Sequence, residues 1–186
     1  MININKLSVL FGLGFIFSTP ILAETPMEFK GVLWESPCEL APESQGQTVL
    51  FGDRPLKDFQ YPPGRSPEES FSIQLNNCTT TTLYSVVKLT FDGVRETNMG
   101  SQSDYWLRMG TGPNVGKLAV GILDVDGTSP LKLGEPHNQG AGTQLDSSTI
   151  VLNFKAVVQA TPDALADQSV VAGDYSAQAN FVLNYE

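Results

Sequence analysis

The hydrophobic and polar positions alternate in short runs rather than recurring every three or four residues. Stretches rich in Val, Ile, Phe and Thr predict strands at 31–34, 48–51, 71–76, 86–91, 118–123, 149–158 and 175–185. Breakers lie between them: Tyr61-Pro62-Pro63-Gly64, Asp92-Gly93, Asp126-Gly127 and Gln139-Gly140-Ala141-Gly142. Only 162–168 reads as helical, as one short turn. The final run is the longest. Tyr175, Ala177, Ala179, Phe181, Leu183 and Tyr185 fall on one face, and Ser176, Gln178, Asn180, Val182 and Asn184 on the other. The sequence ends one residue later, so nothing downstream is expected to pair with that strand's second edge. Near the other end, Met27, Phe29, Gly31 and Leu33 alternate with Glu28, Lys30 and Val32. The pattern alone leaves two arrangements open. The terminal strands pair within one sandwich, or each chain lends its N-terminal strand to a neighbour.

The first residues follow a different rule. Lys6 precedes an almost wholly apolar run at 7–17, broken by Ser8, Gly12 and Gly14. Ser18-Thr19-Pro20 ends it, and Ala23 offers a small residue for cleavage. This is the layout of a secretory signal peptide over 1–23, and the run is too short to cross a bilayer, which takes about 20 residues. The remainder suits one domain, and no second run predicts membrane insertion. An exported chain with two cysteines, Cys38 and Cys78, is expected to join them in one disulfide.

Charge narrows the partners. The net charge is −9, with the acids dispersed, which disfavours nucleic acid and anionic membrane surfaces. Catalytic signals are weak. His137, the single histidine, is read as a loop residue, and no Gly-x-Ser-x-Gly elbow, Cys-x-x-Cys or His-Glu-x-x-His accompanies it. Asp124-Val125-Asp126-Gly127 lacks the further ligands of a calcium loop and is read as a turn. Trp34 and Trp106 are assigned to packing rather than to sugar binding. The chain is thus expected to be no enzyme and to need no cofactor.

Several short strands in one domain predict an all-β, immunoglobulin-like sandwich, with a jelly roll as the next choice. Residue-level motifs go further. Phe29-x-Gly31 followed by Pro37-Cys38, the strand Phe71-Ser72-Ile73-x-Leu75-x-Asn77-Cys78, and Gly173 paired with the penultimate Tyr185 together resemble the chaperone–usher pilin family. Tyr61-Pro62-Pro63-Gly64-Arg65-Ser66-Pro67, Ala160-Thr161-Pro162 and Ser169-Val170-Val171-x-Gly173-Asp174-Tyr175 resemble its adaptor-type minor tip subunits.

That resemblance implies an incomplete immunoglobulin fold of six strands, missing the seventh, over 36–186, with a donor-strand extension over 24–35. It implies a donor face of Met27, Phe29, Gly31 and Leu33. It implies an accepting strand marked by Gly173, Tyr175, Ala177, Ala179, Phe181, Leu183, Tyr185 and Glu186. The implied partners are a periplasmic chaperone, an outer-membrane usher and neighbouring subunits on both sides, and the implied location is the pilus outside the cell. Other pilin roles, such as fibre-forming tip subunit or terminator, and a lectin-type tip adhesin, are the alternatives.

Overall fold

A computed structural model describes residues 28, 30–32, 37–79 and 84–186. The chain divides into two units, 1–34 and 35–186. In the first, Glu28, Lys30, Gly31 and Val32 are exposed and outside regular structure, with Lys30 Nζ 3.1 Å from Glu28 Oε2. The expected signal peptide, Met27, Phe29, Leu33 and Trp34 lie outside the described residues.

The second unit is an all-β sandwich. Its strands are β1 (Glu39–Leu40), β2 (Glu69–Asn76), β3 (Val86–Asp92), β4 (Trp106–Thr111), β5 (Leu118–Leu123), β6 (Thr143–Gln144), β7 (Ile150–Ala160), β8 (Ser176–Ala177) and β9 (Asn180–Tyr185). They form a six-stranded sheet in the order β1-β2-β7-β5-β4-β8 and a three-stranded sheet in the order β6-β3-β9. Every named ladder is antiparallel. β1, β6 and β8 are two residues each, so six longer strands carry the sandwich.

Alternation explains the layers. On β7, Ile150, Leu152, Phe154, Ala156, Val158 and Ala160 are buried, and on β3 so are Val87, Leu89 and Phe91. Rings from both sheets meet at the centre: Phe154 lies 5.1 Å from Phe91 and 5.7 Å from Phe71, centroid to centroid. β5 is buried at every position. Its outer face is covered by Trp106, whose ring lies where a Cβ on Gly121 would come within 2.9 Å. The packing role expected of Trp106 is the one observed.

Several sequence expectations change. The described part of the 31–34 run, Gly31 and Val32, is no strand, and 3-10 helices at Pro42–Ser44 and Thr97–Tyr105 were not expected. The 48–51 run is present as extended chain but has no ladder, so it is not a strand. The C-terminal run is broken into β8 and β9. β4 and the helical turn α1 (Lys57–Gln60) were not foreseen. The expected turn at 162–168 is α2 (Pro162–Ala166), capped by Thr161, whose side chain accepts from the Ala164 N–H.

His137 stands in a loop, as expected, yet its side chain is fully buried. The cause is the edge of β3 beyond the short β6. The His137 N–H donates to Leu89 O at 2.9 Å, and the Leu89 N–H donates to His137 Nδ1 at 3.0 Å. Ring and backbone together replace one residue of a strand. With Nδ1 accepting, the ring proton sits on Nε2, 2.9 Å from Thr143 Oγ1. Nearby, Asp124 Oδ2 accepts from the Asn138 N–H at 2.7 Å. The turn expected at 124–127 is present, with Gly127 at φ +72°. Its Asp126 carboxylate is held at about 2 by hydrogen bonds from the Ser129 hydroxyl and the Ser129 and Thr128 backbone.

Burial lowers the His137 pKa below its ordinary value of 6.5. Below pH 6.5 the unfolded chain therefore takes up a proton that the folded chain resists, and stability falls with pH in that window. The denaturation midpoint is expected to drop between pH 7.5 and pH 5.5. His137→Asn should lower stability throughout but lose this part of the slope. An unchanged slope in the variant would exclude His137 as its source.

Candidate strand-accepting groove

Two segments of the second unit run in opposite directions with an open channel between them. One is the extended stretch 46–54, where Val49 and Phe51 turn inward and Leu50 is 78% exposed. The other is the C-terminal run. The directions follow from contacts. Gln47 Nε2 donates to Ser72 O on β2. The neighbouring Phe71 meets Phe91, which meets Phe181. Phe51 meets Tyr175, 6.4 Å between centroids. Advancing from 47 to 51 thus retreats from 181 to 175. The channel between them has a volume of about 1230 Å³ and a floor of Phe71, Ile73, Phe91, Leu107, Val120 and Ile122.

The alternation read from the C-terminal run is seen residue by residue. Tyr175, Ala177, Ala179, Phe181, Leu183 and Tyr185 are half-buried and pack on the core, and the residues between them are exposed, Val182 at 58%. Half-burial is the informative state. An apolar face over a finished core would be buried; here it borders the channel. Burial accordingly pushes the Tyr175 phenol above its ordinary pKa.

β9 pairs with β3 from Val87↔Tyr185 to Asp92↔Asn180. Its other edge has no strand beside it among the described residues. The 46–54 segment has no ladder either. Two edges without a ladder partner among the described residues thus face one channel, which is the usual template for an added strand.

The run breaks because it changes sheets. β8 pairs with β4 and β9 with β3. The crossing at Gln178 and Ala179 passes over Gly93, where a Cβ would stand 2.8 Å from Gln178 O. Before the crossing, Gly173 adopts φ +149°, and a Cβ there would meet Pro113 Cγ at 2.7 Å. Side chains pin the approach. Asn114 both donates to Val171 O and accepts from the Val171 N–H, while Gln60 donates to Val170 O and Lys117 to Ser169 O. At the far end, Ser85 and Val86 N–H groups donate to Glu186 O, and Lys88 Nζ lies 2.7 Å from Glu186 Oε2.

Cys38 and Cys78 are joined, as expected. The bond ties the start of the 37–54 stretch to the end of β2 and so anchors one wall. Closing a loop of sequence separation 40 is worth about 4 kcal/mol in the chain-entropy picture. Of the proposed donor face, only Gly31 is described; it stands in open space. The sequence reading missed that 46–54 is a wall, although its inward-outward pattern was visible. No cluster of three or more potential metal ligands occurs among the described residues.

The channel's chemistry is that of a binding site for extended chain. An added strand would satisfy both edges and bury alternate apolar side chains against the floor. Four or five such side chains give roughly 6–15 kcal/mol gross at about 1.5–3 kcal/mol each, and each ladder bond adds about 0.5–1.5 kcal/mol.

Comparison with known proteins agrees with this geometry. Residues 27–186 match the profile of the family described as Fimbrial protein. The chain is 46% identical to Protein PrsK of Escherichia coli and 45% identical to Fimbrial adapter PapK of the same species. Each match spans 157 residues, 84% of this chain and 85% of the relative. It is 33% identical to the Major MR/P fimbria protein of Proteus mirabilis over 99% of both chains. Among solved structures it resembles the P pilus rod subunit PapA, with a TM-score of 0.65 and 25% identity over 81% of this chain and 100% of that one. A chain from the structure of a chaperone–usher pilus gives a TM-score of 0.61 at 23% identity, over 91% of this chain and 99% of that one.

Proposed function

The chain belongs to the fimbrial protein family, and from that premise we propose that it is an adaptor-type minor subunit of a chaperone–usher pilus, joining two unlike segments of the fibre. The observation that carries the reading is the channel with an apolar floor, bounded among the described residues by two edges that have no ladder partner. In such a pilus the channel takes a strand from a periplasmic chaperone and then, at the outer-membrane usher, exchanges it for the N-terminal extension of the next subunit, a form of strand addition known for chaperone–pilin pairs. Residues 24–35 are assigned the reciprocal role, filling the channel of another subunit. Identity near 45% to PapK and PrsK, against 33% to a major fimbrial protein, favours the adaptor position over that of the repeating rod subunit. The subunit works by being bound on both sides, and its place is the pilus on the cell surface.

Co-expression with a pilus chaperone is expected to give a soluble one-to-one complex, and expression alone to give aggregation or proteolysis. Mixing the complex with a second pilin should then transfer the channel from chaperone to donor strand, read as a subunit pair that survives electrophoresis in unheated detergent. A stable, soluble monomer that takes up neither strand would falsify the reading.

A further inference from the structure

A second cleft adjoins the end of the channel. It is lined by Arg54, Lys57, Asp58, Tyr61 and Arg65 together with Pro62, Pro63 and Pro67, and Arg54 lines the channel as well. Three cations and one carboxylate thus meet in a chain whose net charge is −9. The ion pairs here are loose: Arg54 Nε lies 3.5 Å from Asp58, Arg65 lies 3.8 Å from Glu68, and Lys57 has no ion-pair partner among the described residues. Tyr61, 55% exposed, and the prolines give the cleft a stiff apolar wall.

Strand polarity decides what arrives there. The two channel walls run oppositely, so an added strand is antiparallel to one of them. The C-terminal run offers the longer regular edge, and antiparallel pairing is the more stable of the two. A strand antiparallel to it enters near Phe181 and leaves beside Arg54. The body of the subunit that donates the strand therefore follows on at the Arg54 end. In this chain, the residues just after the alternating extension include Glu35, Glu39 and Glu43, and Glu39 and Glu43 are exposed. A subunit built on the same plan brings carboxylates to that position.

We propose that the cleft formed by Arg54, Lys57, Tyr61 and Arg65 docks the acidic root of the strand donated by the next subunit. The inference rests on the strand-accepting reading of the channel. Arg54 joins strand capture to subunit docking, and the cleft fixes the angle between consecutive subunits in a salt-dependent way.

Three labelled peptides serve as probes, each offered to the mature chain in its one-to-one complex with chaperone. One is residues 24–34. The second is residues 24–44 with Cys38→Ser. The third adds Glu35→Gln, Glu39→Gln and Glu43→Gln to the second. At low salt the acidic long peptide is expected to bind ~10-fold more tightly than the short one, the size of a few exposed ion pairs acting together. The gain should vanish in about 0.5 M salt, where the screening length is only a few ångströms. It should also vanish in the glutamine peptide and in a Lys57→Glu chain, and return when that chain meets a long peptide carrying Glu39→Lys. Equal binding of short and long peptides, or a gain that persists in high salt and in the Lys57→Glu chain, overturns the dock while leaving the channel reading intact. If neither the short peptide nor the N-terminal extension of a second pilin binds, the channel reading fails and the dock falls with it.

Discussion

Ala177→Trp is expected to leave the sandwich folded and to slow strand uptake by about 100-fold, a loss of roughly 2.7 kcal/mol at the rate-limiting step. Ala177 is half-buried on the channel face and lines the channel. An indole there has open space of about 1230 Å³ to occupy, so it need not displace the core. It would fill volume that an incoming strand must use, and its own burial would have to be undone before a donor side chain could enter, at about 1.5–3 kcal/mol for a large apolar group. Val182→Trp is the matched control. Val182 lies on the opposite face of the same run and is 58% exposed, so the added ring should remain in solvent and uptake should proceed at the original rate. The measurement is the rate at which labelled strand peptide or a second subunit is captured, with near-ultraviolet circular dichroism checking the fold. Equal rates for the two tryptophan variants would mean that the strand does not use this channel.

The core-facing side of the C-terminal run was legible because alternation survives the change of sheet. From Tyr175 to Tyr185 every second residue faces one shared core, whether the backbone pairs with β4 or with β3. Side-chain period reports which face is buried, not which neighbour supplies the ladder. For the same reason the break at Gln178 and Ala179 was invisible: it depends on Gly93 across the sheet, a partner far away in sequence. β4 was missed because Trp106 and Leu107 are both buried, one on each face, which erases alternation at the point where the strand begins. His137 was rightly read as a loop residue, but its burial went unread, because a loop residue can act as a piece of strand through its ring and no local pattern signals that. The 46–54 wall shows the opposite difficulty. Its pattern correctly marks an extended, half-buried segment, but a strand is defined by a partner, and among the described residues the partner edge is empty. Motif resemblance supplied what period could not, namely that an empty edge is a place to be filled.

The N-terminal extension carries the other large effect, because its residues are expected to matter only after the chain has folded. Gly31 occupies a position in the alternation of Met27, Phe29 and Leu33 where an apolar side chain would continue the pattern. Among the described residues nothing approaches within 4 Å of where its Cβ would be. The neighbouring Val32 is 76% exposed. On the proposed reading, a glycine at this position of the alternation is expected to serve a close backbone approach in the channel of a preceding subunit. Phe29→Asp would carry a carboxylate into a pocket shaped for an apolar ring, at a cost of several kcal/mol, and Gly31→Trp would clash where the backbones meet. Both variants are expected to reach the periplasm, bind chaperone and accept a strand at the unaltered rate. Both should then fail as donors, with capture by a preceding subunit reduced at least ~100-fold, as a loss of about 2.7 kcal/mol or more requires. The decisive reading is the separation between the two roles of one chain. If the variants donate normally, or if they fail to fold, the extension is part of this subunit's own sandwich rather than a strand held out to another.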